Sequence, residues 1–176
     1  MKTGWTMGAG RQEDEAFAAW LTPHLGALRR TARAFAEPAD QHDLMQELML
    51  AVWRARPGFR GESTDMTFVY RVAHNTALTW KRGETRRRRR REAIEAEMAL
   101  RLEADDTPEA GLLDRLYDAI RTLPPLDRSL ILLSLDGQPY AEIARVHGLS
   151  ETNVGARLSR IRRRLSDLVE ERADGV

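Results

Sequence analysis

The sequence predicts an all-α protein: two small helical domains joined by a linker, the C-terminal one a helix-turn-helix. Three observations carry that prediction. Apolar residues recur at three- and four-residue spacing, no stretch alternates apolar and polar residues long enough for a sheet, and the chain closes on a short helix, a Gly-containing turn and a long helix. The 176 residues, 42% hydrophobic and 31% charged, suffice for one ordinary core or two small ones.

The first helical face is Phe17, Leu21, Leu25, Leu28, Ala32 and Phe35, with Pro23 either kinking it or beginning a second segment, and Glu37-Pro38 ends it. Asp40 is the expected N-cap of the next helix. Asp43, three residues on, complements the exposed amides, and Leu44, Met45, Leu48 and Val52 supply the apolar stripe. That helix stops near Pro57-Gly58. Ser63 or Thr64 caps a third helix carrying Phe68, Val69, Val72, Ala73, Thr76 and Trp80, which runs into an arginine block.

Residues 1–12 read as an N-terminal tail, 13–91 as the first domain, 92–111 as an acidic linker and 112–172 as the second domain. The linker is rich in Glu and Ala with few large apolar groups, so a marginal helix and a flexible tether are both compatible with it. The second domain opens with Leu112, Leu113, Leu116, Ile120 and Leu123, breaks at Pro124-Pro125, and resumes to a stop at Asp136-Gly137. A short helix, YAEIARVH, then closes at Gly148, and Ser150 caps a longer one reaching toward Glu171.

The formal net charge of +1 conceals segregation. Residues 81–91 carry a net +7, 92–114 a net −7 and 150–165 a net +4. Basic surfaces suited to a polyanion are thus separated by an acidic connector. The absence of cysteine excludes disulfides and thiolate metal sites. The longest apolar run falls far short of the ~20 residues of a bilayer span, and the N-terminus has no continuous apolar stretch of signal-peptide type. A cytoplasmic protein without membrane insertion is expected. His24, His42, His74 and His147 show no metal-ligand pairing, and there is no Gly-rich phosphate loop or nucleophile-base motif. No catalytic residue, metal or cofactor, and no enzymatic activity, is expected.

On the last helix Val154, Leu158, Ile161, Leu165 and Leu168 share the inward face. The other face carries Asn153, Arg157, Arg160, Arg163 and Arg164, with Ser150 and Thr152 at the end that enters the major groove in helix-turn-helix docking. Guanidinium groups suit guanine or phosphate, and Asn suits adenine. In the first domain, Phe59, Arg60, Phe68, Tyr70, Arg71, His74, Asn75, Trp80, Lys81 and Arg82 interleave aromatics and cations, as a surface that stacks unpaired bases requires. Phe68 and Trp80 also fall on core spacing. Tyr70, Arg71, His74 and Asn75 are expected as an exposed mixed surface.

DLMQELMLAVWRARPGFRGEST with FVYRVAHNTALTWKR resembles sigma region two, and LPPLDRSLILLSLDGQPYAEIARVHGLSETNVGARLSRIRRRL resembles sigma region four of bacterial RNA polymerase. Joined by a short linker, the pair resembles the extracytoplasmic-function (ECF) group over about three quarters of the chain. The resemblance implies a sigma factor that directs promoter-specific transcription initiation. Asp43, Gln46, Glu47, Leu50 and Trp53 would grip the beta-prime clamp helices of core RNA polymerase, and the beta flap is a further expected contact. The loop from Phe59 to Met66, Ser63 included, and the third helix would capture the melted minus-ten strand, while the last helix reads the minus-thirty-five element. An anti-sigma factor or a regulatory kinase is a candidate partner, since phosphate on Ser63, Thr64 or Thr67 would bring nearly two negative charges to a strand-binding site. Four departures stand out. His42 replaces an acid, Asp65 an aromatic, Phe68 a tryptophan, and Gly155-Ala156 a Lys-Ser pair.

Overall fold

The computed structural model describes residues 7–95 and 108–173. Eight α-helices occupy the described residues: α1 (Met7–Leu21), α2 (Leu25–Phe35), α3 (Gln41–Ala55), α4 (Asp65–Glu95), α5 (Pro108–Thr122), α6 (Pro125–Leu135), α7 (Tyr140–His147) and α8 (Glu151–Ala173). Short 3-10 turns at Thr22–His24, Pro38–Asp40 and Arg56–Gly58 link the first four helices. No strand occurs among the described residues.

Pro23 begins a new segment rather than merely bending the old one: it enters a 3-10 turn, after which α2 starts at Leu25. Asp40 does stand at the N-cap of α3, but no side-chain cap bond forms there. The preceding 3-10 turn puts Asp40 at φ −104, ψ −5, whereas a capping side chain usually springs from extended backbone. Thr64, not Ser63, caps α4, accepting from the Thr67 amide at 3.1 Å. Ser150 caps α8 through the Asn153 amide at 3.3 Å. Gly148 ends α7 at φ 65, ψ 36, a left-handed conformation natural to glycine, and so sets the turn of the helix-turn-helix.

α2, α3 and α4 form the first domain around Leu28, Phe35, Leu44, Leu48, Val52, Val69 and Ala73, all buried. α5 to α8 form the second around Ile120, Leu123, Leu130, Leu132, Leu133, Ile143, Val154 and Leu158. Two expected boundary features differ. α1 begins at Met7, inside the stretch expected as a tail, and Leu112 and Leu113 are exposed while Tyr117 takes a core place on α5. The linker expected over 92–111 contains the last residues of α4 and the start of α5; residues 96–107 lie outside the described residues.

The domains pack on each other, α2 against α5 and α6, and α4 against α6 and α7. Polar and ionic contacts cross the seam beside a continuous buried apolar cluster. Tyr70 donates to Asp136, Arg30 pairs with the same carboxylate at 2.6 Å, and Thr67 donates to Glu142 at 2.5 Å. Arg128 reaches the Ala34 carbonyl at 3.3 Å and Arg121 the Arg33 carbonyl at 3.1 Å, satisfying acceptors at the C-terminal end of α2. His74 and His147 meet edge to face, 4.7 Å between centroids.

Candidate partner and nucleic-acid interfaces

α3 buries Leu44, Leu48 and Val52, which turns Asp43, Gln46, Glu47, Leu50 and Trp53 to the opposite side; all five are exposed. Leu50 and Trp53, 37% and 49% exposed, are large apolar groups left in water among acids and an amide, the composition of a protein-docking patch. Gln46 is held by His42, 2.8 Å away across one helical turn, so the His42 departure has a local partner.

The loop before α4 stands on an aromatic cluster. Phe59 and Phe68 lie 4.6 Å apart between centroids, and a cleft of about 330 Å³ opens beside them, lined by Gly58, Phe59, Arg60, Glu62, Ser63, Phe68 and Arg71. Along α4, Arg71 and Asn75 are exposed, His74 and Lys81 half-buried. Glu47 shares with Asn75, Thr76 and Trp80 a groove of about 530 Å³, so the acidic edge of α3 adjoins the polar face of α4.

The expectation that Tyr70 belongs to an exposed surface is corrected. It is 2% exposed, because the second domain covers it and Asp136 takes its hydroxyl. Thr67, 1% exposed, is covered in the same way, and Trp80 at 8% is a core residue of the first domain.

On α8, Ser150, Thr152, Asn153, Arg160, Arg163 and Arg164 are exposed together. Arg157 differs. It is half-buried and donates to Asp127 in the first turn of α6 at 2.9 Å, at the edge of a hollow of about 220 Å³ that it shares with Arg160 and Arg164. Gly155 has a packing reason. A Cβ there would lie 3.3 Å from the Tyr140 ring, so the missing side chain leaves room for that ring.

Trp20, Arg30, Asp127, Asp136 and Glu142 emerge only from the fold. Each acts on a residue far along the chain, and no local spacing announces such a pair.

The matches to known families follow this geometry. Residues 20–87 match the model of Sigma-70 region 2 and residues 113–165 that of Sigma-70, region 4. The chain is 30% identical over 142 residues to the ECF RNA polymerase sigma-E factor of Haemophilus influenzae, covering 74% of this chain and 75% of that protein. It is 31% identical over 147 residues to the Escherichia coli K12 protein of the same name, covering 77% of each. The chain belongs to the ECF sigma factors of RNA polymerase. This ECF sigma factor is an alternative sigma factor that directs promoter-specific transcription initiation, and its family is regulatory rather than catalytic.

Two solved structures share its fold. The sigma factor RpoE of Bartonella quintana, crystallised with the anti-sigma factor NepR, gives a TM-score of 0.66 at 22% identity, covering 89% of this chain and 98% of that one. CnrH, in complex with the cytosolic domain of CnrY, gives 0.65 at 23% identity and 90% coverage of each. No helix among the described residues is long and apolar enough to cross a membrane.

Proposed function

We propose that this ECF sigma factor binds core RNA polymerase through Asp43, Gln46, Glu47, Leu50 and Trp53, captures the melted minus-ten strand with the loop at Phe59, Arg60 and Ser63 and with α4, and reads the minus-thirty-five element with the exposed face of α8. The observation that supports this is that the exposed edge of α3 and the cleft beside Phe59 lie on the helices of the first domain, and the exposed arginines of α8 on those of the second. The exposed apolar pair on α3 supports a protein partner there, and the capped, Arg-rich α8 supports a duplex partner. The phosphoryl-transfer chemistry belongs to the polymerase, so the chain itself needs no catalytic group and acts in the cytoplasm where the polymerase does.

The two promoter elements lie about 25 base pairs apart, roughly 85 Å at 3.4 Å per pair. A compact chain of this length has a radius of gyration of about 16 Å. Domains in direct contact therefore do not span both elements, and promoter engagement requires them to part. The polar and charged contacts that cross the seam suit that change, because those groups regain water when separated. The same closed form is a target that an anti-sigma protein would stabilise. A kinase acting on Thr67 would meet a hydroxyl already enclosed and bound to Glu142.

Competition with another sigma factor for core polymerase tests the docking face. Glu47→Arg lowers competition without changing the melting temperature, and Asp43→Arg lowers it by more than the stability it loses in the first turn of α3 accounts for. Wild-type competition by both variants removes α3 from the interface.

A further inference from the structure

Trp20, at the C-terminal end of α1, sits under the loop that precedes α4. Its indole Nε1 donates to the Asp65 carboxylate at 2.9 Å, across 45 positions of sequence. Its ring lies 6.3 Å from Phe68 and 5.6 Å from His24, and the Arg56 guanidinium stacks 4.6 Å above it. Arg56 also faces Phe59, at 6.0 Å, and Phe59 in turn meets Phe68 at 4.6 Å. One side chain thus touches the first residue of α4, the aromatic floor of the cleft and the cation that bridges to its rim.

Asp65 is the residue that departs from the aromatic usual in this loop, and Phe68 replaces a tryptophan. Here a tryptophan comes instead from α1, and an acid receives its N–H. We infer that Trp20 is a positioning residue for minus-ten strand capture, holding the Phe59–Thr64 loop open toward the strand through Asp65. This rests on the proposed role of that loop. The hydrogen bond fixes the start of α4 in register with α1, while the ring supports Phe68 from below. The loop backbone then loses little further freedom when a strand binds, which is how a preformed site gains affinity. Trp20 itself is half-buried beneath the loop and need not touch DNA.

The test uses the full chain bound to core polymerase and a fluorescent single-stranded oligonucleotide carrying the non-template minus-ten sequence of a promoter that it transcribes. Trp20→Phe keeps an aromatic ring but removes the N–H with the five-membered ring that carries it; Asp65→Ala removes the acceptor; Asp65→Asn keeps an oxygen that accepts. Trp20→Phe and Asp65→Ala each weaken oligonucleotide binding about tenfold, the loss of one charge-assisted hydrogen bond. The double variant is no worse than either single, Asp65→Asn recovers most of the affinity at the melting temperature of wild type, and core affinity stays at wild type in every variant. Arg60→Ala, in the loop itself, reports on the underlying reading. If Arg60→Ala loses binding while Trp20→Phe does not, the loop binds the strand without help from Trp20 and the inference is wrong. If neither loses binding, the loop is not the strand site and both readings fall. A loss that comes only with a matching fall in melting temperature and core affinity overturns positioning in favour of plain support of the fold.

Discussion

The hydroxyl of Tyr70 on α4 is donated to Asp136 at the end of α6, and Arg30 of α2 closes on the same carboxylate at 2.6 Å. One acid of the second domain thereby binds two helices of the first. Asp136→Asn removes the ion pair with Arg30 but keeps an oxygen for the Tyr70 hydroxyl, and Asp136→Ala leaves that hydroxyl without its acceptor at a cost of about 1 to 3 kcal/mol. Small-angle scattering of the free chain should show a larger radius of gyration for Asp136→Ala than for wild type. An unchanged radius in both variants means that this contact does not hold the domains together.

The His74 and His147 rings give the same seam a pH dependence. Burial lowers the pKa of both, and the neighbouring His74 charge adds to the effect on His147, which falls to about 4. The closed form thus keeps His147 neutral while an opened or unfolded chain takes up a proton near pH 6.5. Stability associated with this pair is fully present above about pH 6.5 and declines as pH falls toward about 4. Thermal melts at pH 7 and pH 5 should differ less in His147→Asn than in wild type. Equal pH slopes in the two proteins contradict this.

Arg157 and Arg160, neighbours on α8, should behave differently. Arg160 is exposed, so Arg160→Ala costs roughly 1 to 3 kcal/mol of discrimination if the contact is to a base, or reduces the salt slope by about 1 if it is to phosphate, with no change in melting temperature. Arg157→Ala also strands Asp127, and its melting temperature should fall. Filter binding of minus-thirty-five duplexes over a salt series, alongside melts, separates the two.

Much of the fold is legible in the sequence because its signals are local. The apolar spacing of Leu44, Leu48 and Val52, the proline at 23, the cap at Thr64 and the left-handed Gly148 each act within a turn or two. The outward edge of α3 follows from the same spacing once its inner face is known. Tyr70 was not legible. It lies beside Val69 and Ala73, and only the second domain, 66 positions away at Asp136, decides that it is covered. Trp20 and Asp65, 45 positions apart, are hidden for the same reason. Asp40 shows the opposite failure: the right residue type stood at the right position, but the backbone turn before it kept the side chain from capping α3.

Gly155 sets two effects against each other. Replacing a helical glycine by alanine gains up to about 1 kcal/mol of propensity, while the new Cβ meets the Tyr140 ring at 3.3 Å. Tyr140 is 39% exposed, so its ring can move by a few tenths of an ångström at small cost. Gly155→Ala should therefore raise the melting temperature slightly, and a fall would mean that the ring is fixed.

Run-off transcription with purified core polymerase, with and without the full chain, on a panel of promoter fragments tests the assignment most directly. Discrete transcripts from a subset of promoters, present only when the chain is added, are the predicted result. Binding of those fragments by the chain with no core-dependent transcript from any of them would contradict it.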